Sequence, residues 1–192
     1  MSVLKLYYHP LSQPSRAVLA LLNIGKIKYE AKIVDLMKGE HKQPEFLAIN
    51  SFGTVPALTH GSLSLGESNA VLQYLCEAYP KELEKYGGAT IGEKALVNQY
   101  LSWYQGTFRP ALIRLVRLNM NARMTQTKLK KADVADAKMK MDLALDFLEK
   151  HLSGGSLFIC GDQLTIADLL IFHEATNLET YKADFTKWKF MN

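Results

Sequence analysis

The sequence has little of the material that several protein classes require. Its 192 residues hold two cysteines, Cys76 and Cys160, far apart in the chain. Two such thiols make neither a disulfide framework nor a zinc site, and they suit a reducing compartment. Twelve glycines and six prolines exclude collagen-like and low-complexity chains. No apolar run approaches the roughly 18 residues of a membrane span. The N-terminus lacks the layout of a signal peptide, because Lys5 interrupts residues 1–8 and the apolar run Ala17–Leu22 is too short. Charge of one sign is also scarce: 23 basic residues against 19 acidic give a net +4. What is present is ordinary globular usage, 48% hydrophobic and 22% charged. The expectation is a cytoplasmic protein of one domain or two small ones, without a membrane span.

The first 80 residues alternate strand and helix signals. Val3–Tyr8 is β-rich and stops at His9-Pro10. Ser12-Gln13-Pro14-Ser15 opens an apolar run that Gly25 closes, the layout of a helix. Lys28–Val34 alternates at period two and reads as a strand. A short helix is expected near Pro44–Ile49, a hairpin over Ala57–His60 and Leu63–Leu65, and a helix over Glu67–Tyr79. Charges and Gly87-Gly88 make residues 81–90 read as a linker. From Ile91 to residue 192 the periodicity is helical throughout. Tyr100, Trp103, Tyr104, Phe108 and Leu112 mark one face; Val134, Met141, Leu145 and Leu148 mark another. Thr165-Ile166-Ala167-Asp168 is a capping-box pattern, whose role is to start a helix. The fold class is thus an α/β N-terminal domain, 1–80, followed by an all-α C-terminal domain, 91–192.

Three features carry chemistry. The turn between first strand and first helix holds Ser12-x-x-Ser15, where βαβ redox proteins place Cys-x-x-Cys. Two serines cannot exchange disulfides, but a hydroxyl and a positive helix end can stabilise another molecule's thiolate. Plain helix capping is the alternative, and spacing alone favours it. Pro56 enters a strand; were Val55–Pro56 cis, the Val55 N–H and C=O would face outward to pair with an extended peptide, and a trans proline is the alternative. Glu67-Ser68 opens a helix whose free amides could hold a carboxylate while Glu67 pairs with an amine, unless both merely cap. The three together outline a site for a small zwitterionic thiol peptide.

In order and spacing these motifs resemble a cytosolic glutathione transferase of theta-like, serine type. The string Leu6-Tyr7-Tyr8-His9-Pro10-Leu11-Ser12-Gln13-Pro14-Ser15-Arg16-Ala17 carries the likeness. So do Ile33–His41, Val55-Pro56-Ala57-Leu58, Glu67-Ser68 and Gly161–Asp168, and the resemblance runs from Val3 to about Phe172. The resemblance implies a thioredoxin-like N-terminal domain and glutathione as co-substrate, without a metal. It implies Ser12 as the catalytic hydroxyl, donating to the glutathione thiolate, with Ser15 left to the helix start. His41 and Lys42 would contact the glycine carboxylate end, Thr54 and Val55 the cysteinyl backbone with Pro56 cis, and Glu67 and Ser68 the γ-glutamyl end. Arg109 matches an arginine facing the second substrate. Conjugation of small electrophiles is the implied activity, with hydroperoxide reduction beside it, in a homodimer. The alternative is a non-catalytic binding or assembly module of the same fold. Ser51 departs from the family, which usually has proline there. Against theta-like chains the C-terminus looks short from Phe172 through Lys182–Phe190, as in a truncated or splice-shortened chain with an open second-substrate site.

The remaining features have plainer readings. Arg109, Arg114, Arg117, Arg123, Lys128, Lys130 and Lys131 form a basic block with no acid between them, yet no groove-reading or stacking element accompanies it, so nucleic acid is not expected. A solvated face explains the block, and attraction of anionic substrates is the alternative. Cys76 reads as a small buried hydrophobe, and Cys160 has no activating partner.

Overall fold

A computed structural model of the chain describes residues 2–176, 178 and 187–189. It divides into two compact units, Met1–Lys94 and Ala95–Asn192.

The first unit is built on a four-stranded mixed sheet of order β2-β1-β3-β4. Strand β1 (Leu4–Tyr8) runs parallel to β2 (Glu30–Ile33), with Leu6 opposite Ala31. On its other side β1 is antiparallel to β3 (Ala57–His60), with Leu6 opposite Leu58, and β3 continues into β4 (Leu63–Leu65). Leu4 and Leu6 sit on one face of β1 and are buried, as period-two alternation requires. Helix α1 (Gln13–Ile24) turns Ala17, Val18, Leu21 and Leu22 inward, the stripe expected at helical spacing. Helix α2 (Pro44–Leu47) is a single turn anchored by buried Phe46, and α3 (Ser68–Ala78) buries Val71, Leu72 and Leu75.

Residues 81–90 differ from their reading as a linker. Pro80–Gly87 is a helix, α4, with proline in its first turn, where its missing N–H costs nothing. Its anchor is Leu83, fully buried. A side chain at Gly25 would lie 2.6 Å from Leu83 Cδ2, so the end of α1 needs glycine to admit this helix. The glycines and charges that suggested a linker stand at its end and on its exposed side.

The second unit is helical. Helix α5 (Ile91–Trp103) begins in the first unit and leads into a π-helical turn, Tyr104–Phe108, and then α6 (Arg109–Thr125). Pro110 cannot donate to a carbonyl one turn back, and the chain widens to a π turn just before it. Tyr100, Tyr104, Phe108 and Leu112 share the buried face, whereas Trp103 is half-buried against Phe108 and Phe147 at ring-centre distances of 5.1 and 4.9 Å. Helix α7 (Lys131–Leu152) buries Met141, Leu145 and Leu148, and Val134 is half-buried. Arg114 of the basic block pairs with Asp136 of α7 at 2.8 Å, so its charge is not wholly solvated. Helix α8 (Ile166–Ala175) starts with a formed capping box: Asp168 Oδ2 accepts from the Thr165 N–H at 2.8 Å and from its hydroxyl at 2.7 Å. Asp168 Oδ1 also accepts from the Ile159 N–H at 2.7 Å, tying the preceding loop to the helix start.

Most of the C-terminal stretch Lys182–Phe190 lies outside the described residues. Of it, Trp188 is buried and donates from Nε1 to Asp146 Oδ1 at 2.8 Å. No described helix is long and apolar enough to cross a membrane.

Candidate active site

Ser12 stands at the N-cap of α1, in extended backbone geometry just outside the helix. Its Oγ accepts from the Ser15 N–H at 3.4 Å and donates to the Val55 carbonyl at 3.5 Å. Both contacts are long and therefore weak. The proton is aimed but loosely held, and a better acceptor can claim it. The positive end of α1, worth about half an elementary charge, favours an anion at the same place.

The Val55–Pro56 peptide is cis. The residues before it are held by a web of polar contacts. Buried Asn50 donates to the Thr54 carbonyl at 2.8 Å and accepts from the Phe52 N–H at 3.2 Å. Lys42, beside His41 in the turn Glu40–Lys42, donates from Nζ to the Gly53 carbonyl at 2.8 Å. Gly53 sits at φ +59, and a side chain there would approach the His41 carbonyl and Lys42 Nζ to 3.0 Å. Burial, and then the neighbouring Lys42 charge, lower the pKa of His41, so its neutral form is favoured at physiological pH. Its Nδ1 is buried without a hydrogen-bond partner among the described residues.

Glu67 precedes α3 at φ +58, a conformation few side chains adopt without cause. Ser68, the first residue of α3, is buried. The turn before them is fitted to Asn50: a side chain on Gly66 would come within 2.5 Å of Asn50 Oδ1. Thus Ser12 meets Val55 directly, Lys42 and Asn50 hold the Gly53–Thr54 segment, and Asn50 also packs under the turn that leads to Glu67. All of this lies in the first unit.

Arg109 belongs to the second unit and has partners that the sequence did not reveal. Its Nη1 pairs with Glu174 Oε2, and the same nitrogen lies 3.3 Å from the Tyr104 hydroxyl. Tyr104 donates to Glu174 Oε2 at 2.9 Å. Glu174 is fully buried near the end of α8, beyond the apolar run Leu169–Phe172. Burial works against the Arg109 charge, but Tyr104 and Glu174 outweigh it and raise its pKa; burial, then Glu174, push Tyr104 upward.

The thiols are poor nucleophiles. Burial pushes Cys76 to about 12 and Cys160 to about 11, the latter against a Thr165 hydroxyl contact at 3.6 Å. Among the described residues no group of three His, Cys, Asp or Glu is placed to hold a metal ion. The first unit thus presents a hydroxyl at a helix end, beside the Val55 carbonyl.

Two family models match the chain. The N-terminal domain model of glutathione S-transferase matches residues 2–77, and the C-terminal domain model matches residues 110–191. Glutathione S-transferase F9 of Arabidopsis thaliana is 36% identical over 87% of this chain and 77% of its own length. Human glutathione S-transferase theta-2 is 35% identical over 89% of this chain and 70% of its own. The crystal structure of human glutathione transferase theta-2 in complex with glutathione and an unknown ligand superposes with a TM-score of 0.89. It is 32% identical, with 97% of this chain and 76% of that one covered.

This chain belongs to the glutathione S-transferase family. It is a theta-like glutathione transferase, an enzyme that takes glutathione as its co-substrate. For this transferase, the sequence missed two groups of residues. Asn50 and Gly66 meet across 16 positions, a contact that leaves no local pattern. Glu174 offered a signal: a carboxylate within the run Leu169-Leu170-Ile171-Phe172-His173-Glu174 faces the core and requires a cation.

Proposed function

We propose that this transferase activates glutathione through Ser12 and conjugates the resulting thiolate to small electrophiles. The observation that supports this most is the Ser12 hydroxyl, loosely held between Ser15 and Val55 at the positive end of α1. A hydrogen bond donated to the thiolate, added to the helix field, lowers the thiol pKa, and each unit corresponds to about 1.4 kcal/mol. Ser12 donates rather than attacks, for no base among the described residues is bonded to it. The thiolate then forms a C–S bond as the electrophile's leaving group departs or its strained ring opens, with bound geometry replacing a bimolecular encounter.

The rest of glutathione is assigned residue by residue. His41 and Lys42 take the glycine carboxylate end. Thr54 and Val55 pair with the cysteinyl backbone beside cis-Pro56. Glu67 binds the γ-glutamyl ammonium, and Ser68 with the first amides of α3 binds its carboxylate. Arg109 is assigned to the second substrate, through the part of its guanidinium that Glu174 and Tyr104 leave uncovered. The enzyme acts as a cytoplasmic homodimer, and hydroperoxide reduction is a second activity of the same thiolate.

The test is turnover with a small halide or epoxide, together with glutathione affinity. Ser12→Ala is expected to lower kcat/KM about 100-fold or more, the cost of losing one donor to a developing anion, with glutathione affinity changed only a few-fold. Unchanged turnover in a variant that still binds glutathione would refute the role of Ser12. Wild-type protein that retains no glutathione would favour a binding or assembly module.

A further inference from the structure

Ser15 is fully buried, and its hydroxyl has no hydrogen-bond partner among the described residues. A buried hydroxyl without a partner is costly, and alanine at this position would avoid that cost in a helix. Ser15 is also the third residue of α1, with Ser12 as its N-cap, so the two lie on one face of the first turn. Its N–H already reaches Ser12 Oγ at 3.4 Å.

The other end of the chain shows what an N-cap hydroxyl and a third-position side chain can do. At α8 the Thr165 hydroxyl and the Asp168 side chain, in these same two positions, bond directly at 2.7 Å. The corresponding Ser12–Ser15 hydroxyl bond is not made here: the Ser12 proton is directed to the Val55 carbonyl, and the Ser15 hydroxyl has no partner among the described residues.

We infer that Ser15 is a positioning residue for the Ser12 hydroxyl. The inference rests on Ser12 being the donor to the glutathione thiolate. When Ser12 turns its proton from Val55 to the sulfur, its oxygen accepts from both the Ser15 N–H and the Ser15 hydroxyl. A hydroxyl that accepts while it donates is a stronger donor, since chained hydrogen bonds polarise one another. Ser15 thereby deepens the fall of the thiol pKa without touching glutathione, as its complete burial requires.

The experiment titrates the thiol of bound glutathione by thiolate ultraviolet absorbance in wild type, Ser15→Ala, Ser12→Ala and the double variant. Melting temperatures and glutathione affinity are measured on the same samples. Ser15→Ala is expected to raise the bound thiol pKa by about half a unit, an approximately threefold loss of thiolate at neutral pH. Its melting temperature should be equal or higher, because it removes an unpaired hydroxyl, and its glutathione affinity should stay within about twofold of wild type. The deficit in kcat/KM should vanish at alkaline pH, where the thiol ionises unaided. The double variant should titrate like Ser12→Ala alone.

A Ser15→Ala titration superimposable on wild type, with Ser12→Ala shifted, overturns the inference and leaves the role of Ser12 standing. If Ser12→Ala does not shift the thiol either, the underlying reading has failed. A double variant shifted beyond Ser12→Ala would mean that Ser15 acts independently, which also overturns the inference. A lowered melting temperature with an unshifted thiol would reduce Ser15 to a structural residue.

Discussion

A hydroxyl that donates at 3.5 Å to the Val55 carbonyl gives up little when a thiolate offers a better acceptor. The same scale explains why the protein's own sulfurs stand aside. With thiols raised to about 12 and 11, only about one Cys76 in 10,000 and one Cys160 in 1,000 is ionised at pH 8. Because raising a thiol pKa favours its neutral form, alkylation with iodoacetamide at pH 8 should leave activity intact; rapid loss that follows labelling of either cysteine would contradict this. Gly66→Ala tests the support behind the site. The new methyl meets the Asn50 amide, which is buried and committed to Thr54 and Phe52. Denaturant unfolding should show a loss of about 1–3 kcal/mol, with weaker glutathione binding as the Thr54–Val55 segment loosens. Stability equal to wild type would mean that Asn50 has room to move. The place of Ser12 at a helix start was legible in the sequence, because the turn joining a strand to a helix is marked by local residues. The Asn50–Gly66 contact was not, since neither residue signals the other until the chain is folded.

At the scale of elements, the capping box is the most exposed to test. Thr165→Ala removes one N-cap hydroxyl and should cost about 0.5–2 kcal/mol. Asp168→Ala should cost more, because it releases the Thr165 N–H, the Thr165 hydroxyl and the Ile159 N–H together. Equilibrium unfolding of both variants decides the order, and equal losses would mean that the Thr165 and Ile159 N–H contacts contribute nothing. The box was readable because its pattern spans four residues. Helices α1 and α3 and the hairpin were readable for a similar reason: their boundaries are set by local caps, glycines and alternation, within one or two residues. Helix α4 was misread because what makes it a helix is the burial of Leu83 beside Gly25, a contact across 58 positions. The π turn before Pro110 was likewise unforeseen, although the proline that calls for it is plain in the sequence.

At the scale of the molecule, the division into a mixed-sheet unit and a helical unit follows the shift of periodicity near Ile91, and the structural boundary falls at Lys94. The basic block shows what periodicity could not supply, as Arg114 finds its acid on the next helix. The proposed homodimer should sediment at twice the 21.6 kDa of one chain. Glutathione bound in the first unit is proposed to be a thiolate because of Ser12. The most direct test is ultraviolet titration of the bound thiol. In wild type the bound thiol should ionise at least one pH unit below free glutathione, and in Ser12→Ala it should return close to the free value. A bound thiol that titrates like free glutathione in the wild-type enzyme would contradict this.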